Sequence, residues 1–168
     1  RSTALSKTGN ISAVPQYPDL SSVLARIDIA LGGAVDTVPL PDGPADMVFD
    51  PATGRAYVAC DGVVAVAVVD GTSVIPIDLM FDLVGSVYPV AMLFDGLNGL
   101  LYVACEGGLV ADWFLDPAVL VIDTDTQGIL EVISVSGVVS TFTARGMAFN
   151  NDRTKVYVVD SNMNACLL

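Results

Sequence analysis

"MVFDPATGRAYVAC" at residues 47–60, "MLFDGLNGLLYVAC" at 92–105 and "MAFNNDRTKVYVVD" at 147–160 align without a gap. Each reads Met, any residue, Phe, seven residues, then Tyr-Val. The tyrosines, Tyr57, Tyr102 and Tyr157, recur at spacings of 45 and 55. A fixed period of this size marks a supersecondary unit that buries its faces by stacking against its neighbours.

Each segment predicts a hairpin. The Met-x-Phe run meets "DPATG", "DGLNG" or "NNDRT", stretches of turn-forming Asp, Pro, Asn and Gly. A second run, "AYVAC", "LYVAC" or "VYVVD", is rich in strand formers. Two further strands follow the first two hairpins. They are "VVAVAVVDG" (63–71) and "VIPIDLMFD" (74–82), then "AVLVIDTD" (118–125) and "ILEVISVSG" (129–137). Short connections force antiparallel pairing. Several strands are apolar on both faces, so each sheet must be covered twice. Four short strands, a period near 45 and face-to-face stacking predict an all-β chain of β-propeller blades, with a two-sheet sandwich as the rival.

The expected division is a tail or linker over 1–23, then part of a blade (24–42), a blade (43–88), a second blade (89–143) and another part (144–168). About three blades' worth of strands falls short of the usual ring of four to eight. Two arrangements answer this. The chain belongs to a longer propeller, the favoured reading, or copies complete one another in a ring.

Composition narrows the chemistry. The 168 residues are 53% hydrophobic and 15% charged, with net charge −12. An acidic surface argues against nucleic acid and anionic membrane as partners. No stretch supplies the roughly 20 apolar residues of a spanning helix. The absence of histidine excludes a Ser-His-Asp triad and His-ligated haem, copper or zinc. Asn10-Ile11-Ser12 fits the glycosylation sequon, a short pattern that arises often by chance.

Cys60, Cys105 and Cys166 form no C-x-x-C pair. Cys60 and Cys105 hold one repeat position on neighbouring blades, where sheets stack about 10 Å apart. A disulfide needs Cα atoms within roughly 7 Å. Buried thiols are therefore expected, with a Cys60–Cys105 disulfide as the alternative.

The repeat resembles the YVTN family of β-propeller repeats. "GPADMVFDPATGRAYVAC" is similar to that family's turn and Tyr-Val-Ala strand, and "VLVIDTDTQGILEVISV" to its Val-Ile-Asp-Thr hairpin. The likeness covers residues 24–168. It departs where the family's Asn is Cys60, Cys105 or Asp160 and where its Pro-Asp-Gly turn has changed. The resemblance implies an extracellular, periplasmic or cell-surface protein that binds partners or serves as a scaffold. It also admits an enzyme, lactonase-like or a cofactor-assisted oxidoreductase, with part of its site outside this chain. A structural subunit of a larger assembly is a third class, and fold alone does not choose among them. Protein partners, carbohydrate, further copies or remaining blades are the partners expected.

Candidate binding residues follow from repeat position. Asp61 and Glu106 succeed the two cysteines, Asp160 sits one step earlier in the third repeat, and Asp42 and Arg145 enter blades. Together they would ring one end of a central channel. Such acids are either solvated or able to bind a cation such as calcium through oxygen; no other cofactor is expected. Between its second and third strands the second repeat holds eight residues more than the first. "EGGLVADWFLDPAV" (106–119) there carries Asp112, Phe114, Asp116 and Trp113, the chain's one tryptophan. Insertions of this kind map to loops, often on a binding face. "IDTDTQG" (122–128) is expected to be a hairpin turn and not a metal site.

Overall fold

The computed structural model describes residues 3–5, 10–13, 22–30, 32–79, 88–107, 109–110, 113–114, 116–135, 143–161 and 166–167. Four antiparallel sheets follow one another along the chain. The first joins β1 (Thr3–Leu5), β2 (Asn10–Ala13), β3 (Val23–Asp28) and β4 (Ala34–Pro39) in sequence order. The second joins β5 (Pro44–Phe49), β6 (Ala56–Cys60), β7 (Ala65–Asp70) and β8 (Ser73–Asp78). The third begins with β9 (Tyr88–Asp95) and β10 (Leu100–Glu106). A small separate hairpin follows, β11 (Leu109–Val110) with β12 (Trp113–Phe114). β13 (Ala118–Asp123) and β14 (Ile129–Ser134) then complete the third sheet. The fourth holds β15 (Ala144–Phe149), β16 (Val156–Asp160) and β17 (Cys166–Leu167).

One expectation is corrected. Residues 1–23 read as a tail, yet β1 pairs with β2 and β2 with β3, which turns the expected part blade into a four-stranded sheet. These strands are three and four residues long and lack an apolar run. Their order comes from the edge that β3 offers, not from local propensity.

The sheets stack as a fan. The first strands meet in chain order, β1 on β5, β5 on β9 and β9 on β15. Alternation along β6 explains why the sequence shows no polar face. Ala56, Val58 and Cys60 pack with Leu24 and Val38 of the first sheet, while Tyr57 and Ala59 pack with Leu101, Leu120 and Ile122 of the third. Both faces are interior, so both are apolar. Each such fully buried Leu or Ile contributes about 1.5–3 kcal/mol. Tyr57 stacks on Phe94 with ring centroids 6.0 Å apart, and the next gap repeats the contact with Tyr102 and Phe149 at 5.6 Å, edge to face.

Cys60 lies in the first gap and Cys105 in the second, so the second sheet stands between them. Both are free buried thiols, and the alternative of a disulfide is not realised.

Polar links also cross the gaps. The Asp46 carboxylate accepts the Met92 N–H at 2.8 Å. Arg26 donates to the Gly71 carbonyl at 2.9 Å. At the turn after each Met-x-Phe run an Asp or Asn folds back on the backbone. Asp50 accepts from Ala52 N, Asp95 from Leu97 N, and Asn150 from Lys155 N. Asp123 does the same for Asp125 and Thr126, so "IDTDTQG" is the expected hairpin turn. No helix among the described residues is long and apolar enough to cross a membrane.

Candidate functional site

Strand direction sorts the loops between the two ends of the fan. β5 ends and β6 begins at Asp50–Arg55, the end that carries the Asx turns. Cys60 pairs with Pro44 and Ala65 at the other end, as Cys105 does with Pro89 and Ala118, and Asp160 with Ala144. That second end therefore gathers Asp42–Gly43, Asp61–Gly62, Glu106 and the insertion after it, Thr143–Arg145 and Asp160–Ser161.

Asp61 opens a short 3-10 turn, Asp61–Val63. Its N–H donates to the Gly43 carbonyl at 2.7 Å. The two loops touch so closely that a Cβ on Gly43 would stand 2.0 Å from the Asp61 Oδ1. Gly43 also has φ +72, which only glycine adopts without strain. Burial pushes the Asp61 carboxyl above the ordinary carboxylate range, against a hydrogen bond from the Gly62 N–H.

Glu106 is the meeting point. Burial raises its carboxyl most, and Asp61 and Asp160 raise it further by repulsion. Arg145 and a hydrogen bond with Thr143 pull the other way without offsetting the rise. Arg145 Nε donates to Ser161 Oγ at 3.3 Å. Ser161 N–H donates to the Thr143 carbonyl at 3.1 Å, and Thr143 N–H to Asp160 Oδ1 at 3.1 Å. Three sheets thus bring Asp61, Glu106, Arg145 and Asp160 into one electrostatic neighbourhood.

Asp160 is not a rim acid. It takes the buried position that the repeat gives to Cys60 and Cys105, and is 2% exposed. Trp113 and Phe114 form β12, with Trp113 opposite Val110 and Phe114 opposite Leu109, so the insertion holds its own hairpin next to Glu106. Asp112 lies outside the described residues. Among the described residues, no three Cys, Asp or Glu side chains come close enough to hold a metal ion. Sequence reasoning missed Thr143 and Ser161, which tie β15 to β16. Their signal was faint: small hydroxyl residues flanking the Arg145 and Asp160 positions.

The site is negatively charged, with one guanidinium among the carboxyls. It suits hydrogen bonding to hydroxyl-rich or cationic groups and repels free anions.

No family model and no curated protein sequence matches the chain. Solved structures do. Hydrazine synthase of Kuenenia stuttgartiensis superposes with TM-score 0.74 at 21% identity, over 98% of this chain and 42% of that one. The gluconolactonase XC5397 of Xanthomonas campestris gives 0.64 at 19%, over 94% and 52%. A chain of the nidogen/laminin complex gives 0.62 at 16%, over 95% and 56%. The fold is that of β-propeller blades. At these identities the likeness concerns the fold alone, and this chain spans about half the length of each neighbour.

Proposed function

We propose that the chain is part of a secreted or cell-surface β-propeller that serves as a binding and scaffold module for protein or carbohydrate partners. One observation carries the reading. Glu106, Asp61, Arg145 and Asp160 come from three successive sheets to one end of the fan, and the hairpin of Trp113 and Phe114 follows Glu106 directly. Aromatic residues of this kind, in the segment that follows Glu106, are suited to stack on a sugar or anchor a protein. The YVTN-like repeats support a surface location. So does the likeness to a chain of the nidogen/laminin complex and, with TM-score 0.63 at 10% identity, to an extracellular domain from B. thetaiotaomicron.

The test is a glycan array together with a peptide-display library, each probed with the 168-residue chain and with Glu106→Lys, Trp113→Ala and Val35→Asp. Val35 is exposed on β4, away from the site. Binders retained by Val35→Asp and lost by the other two support the reading. Binders indifferent to all three contradict it.

A second reading has its own observation. A carboxyl held above its ordinary range by burial, as Glu106 is, beside an arginine, suits a general base. Together with the likeness to a gluconolactonase this favours lactone hydrolysis as the rival. Hydrolysis of δ-gluconolactone above the buffer rate, abolished by Glu106→Gln, supports it; a rate equal to buffer removes it.

A further inference from the structure

Thr53, Asn98 and Arg153 share one position in the three aligned turns, and each donates to an aspartate at the head of a turn. Thr53 Oγ1 donates to Asp50 Oδ2 at 2.5 Å, and Asn98 Nδ2 to Asp95 Oδ2 at 2.7 Å. Arg153 instead reaches across from the fourth sheet, its Nη1 2.5 Å from Asp95 Oδ1. The three donors differ in chemical durability. A hydroxyl and a guanidinium are inert in water, whereas an asparagine side chain is labile.

The lability is greatest before glycine, whose main-chain nitrogen carries no neighbouring Cβ to keep it from the preceding side chain. Of the six asparagines, Asn98 alone precedes glycine. The turn is open to water, since Gly96, Leu97 and Asn98 are all exposed. Gly99 is also a hinge point of the turn. It has φ +66, and its carbonyl accepts the Thr124 N–H at 2.9 Å and the Thr124 hydroxyl at 2.8 Å.

We propose that Asn98–Gly99 is a site of spontaneous deamidation that loosens the contact between the third and fourth sheets. Solvent base takes the Gly99 N–H proton, and the nitrogen attacks the Asn98 Cγ. Ammonia leaves and a succinimide ring closes. Water then opens the ring at one of its two carbonyls, which gives aspartate or isoaspartate; one water enters and one ammonia departs. Either product sets a carboxylate where an amide donor stood. Two carboxylates at this spacing do not both ionise in place. The new group turns to solvent, and Asp95, 2% exposed, loses its Asn98 donor. Isoaspartate also lengthens the main chain between the paired Asp95 and Leu100, which draws the Gly99 carbonyl off Thr124. Arg153, lying 5.3 Å over the Phe149 ring, anchors the fourth sheet on that same Asp95, so the change is felt across the gap.

The 168-residue chain is incubated at pH 8, folded and in urea, then digested and mapped by fragmentation that separates asparagine, aspartate and isoaspartate. In the folded chain Asn98 is expected to convert ahead of every other asparagine. Amide exchange of the aged chain should show protection lost at Thr124. Asn98→Gln keeps an amide that cyclises far more slowly, and should neither convert nor lose that protection. Asn98→Asp supplies the charge without ageing. Its urea midpoint should fall below wild type at pH 7, and the gap should narrow toward pH 4 as the crowded carboxyls take up protons. A folded Asn98 that stays intact while the chain in urea converts would overturn the proposal. Full Thr124 protection in the converted chain, or a wild-type midpoint for Asn98→Asp at pH 7, would overturn it as well.

Discussion

Asp95 and Glu106 sit at opposite ends of the third sheet and respond oppositely to pH. Burial would raise the Asp95 carboxyl, but hydrogen bonds from Asn98, the Leu97 N–H and Arg153 outweigh it and hold the group below its ordinary range. A depressed native value means the unfolded chain binds the proton more readily. Asp95 therefore stabilises the fold above the ordinary carboxylate pKa, and this is lost as pH falls through the native value. Asp95→Ala should cost about 1–3 kcal/mol at neutral pH, since it strands those donors and Arg153, with the difference shrinking in acid; urea unfolding against pH measures it. Glu106 is raised, so the native state binds the proton more tightly. Its contribution is greatest below the unfolded value and is lost as pH rises through the native one. Glu106→Gln should thus match or exceed the wild-type Tm at neutral pH, and a clear loss there would refute the burial argument. Gly43→Ala is expected to cost on the order of 1–3 kcal/mol by forcing a strained backbone and displacing Asp61.

The hairpins were the most legible elements. "DPATG" and "DGLNG" state their turns in residue chemistry, and the Asp at the head of each makes the bond that its type implies. β1 and β2 were illegible because three or four residues among Ser, Thr and Lys carry no periodic signal, and their order depends on the edge that β3 offers. The insertion was legible as a loop from its length. Its inner pairing of Trp113 with Val110 was not foreseen, although "LVADWF" has two apolar pairs two residues apart. At this scale the cysteines make a sharp prediction. Burial pushes the Cys60 thiol up to about 11 and the Cys105 thiol further. Little thiolate forms near neutral pH, and neither sulfur is accessible. Iodoacetamide at pH 8 followed by peptide mapping should leave both unmodified in the native chain and alkylate both in denaturant. Rapid native labelling at either would contradict their place between sheets.

For the whole molecule, the apolar character of both strand faces foretold stacked sheets, and repeat position foretold that Asp61, Glu106 and Arg145 share one end. The burial of Asp160 was hidden, because an acid at a cysteine's repeat position reads as a loop residue until the register places it inside. The central claim is that the repeats stack face to face in chain order around their first strands, against a sandwich in which β6 and β10 would lie side by side. Aromatic NOE spectroscopy tests it most directly. The stacked fan predicts ring-to-ring NOEs between Tyr57 and Phe94 and between Tyr102 and Phe149, whose centroids lie 6.0 and 5.6 Å apart. Absence of both, with backbone NOEs laddering β6 onto β10, would contradict it.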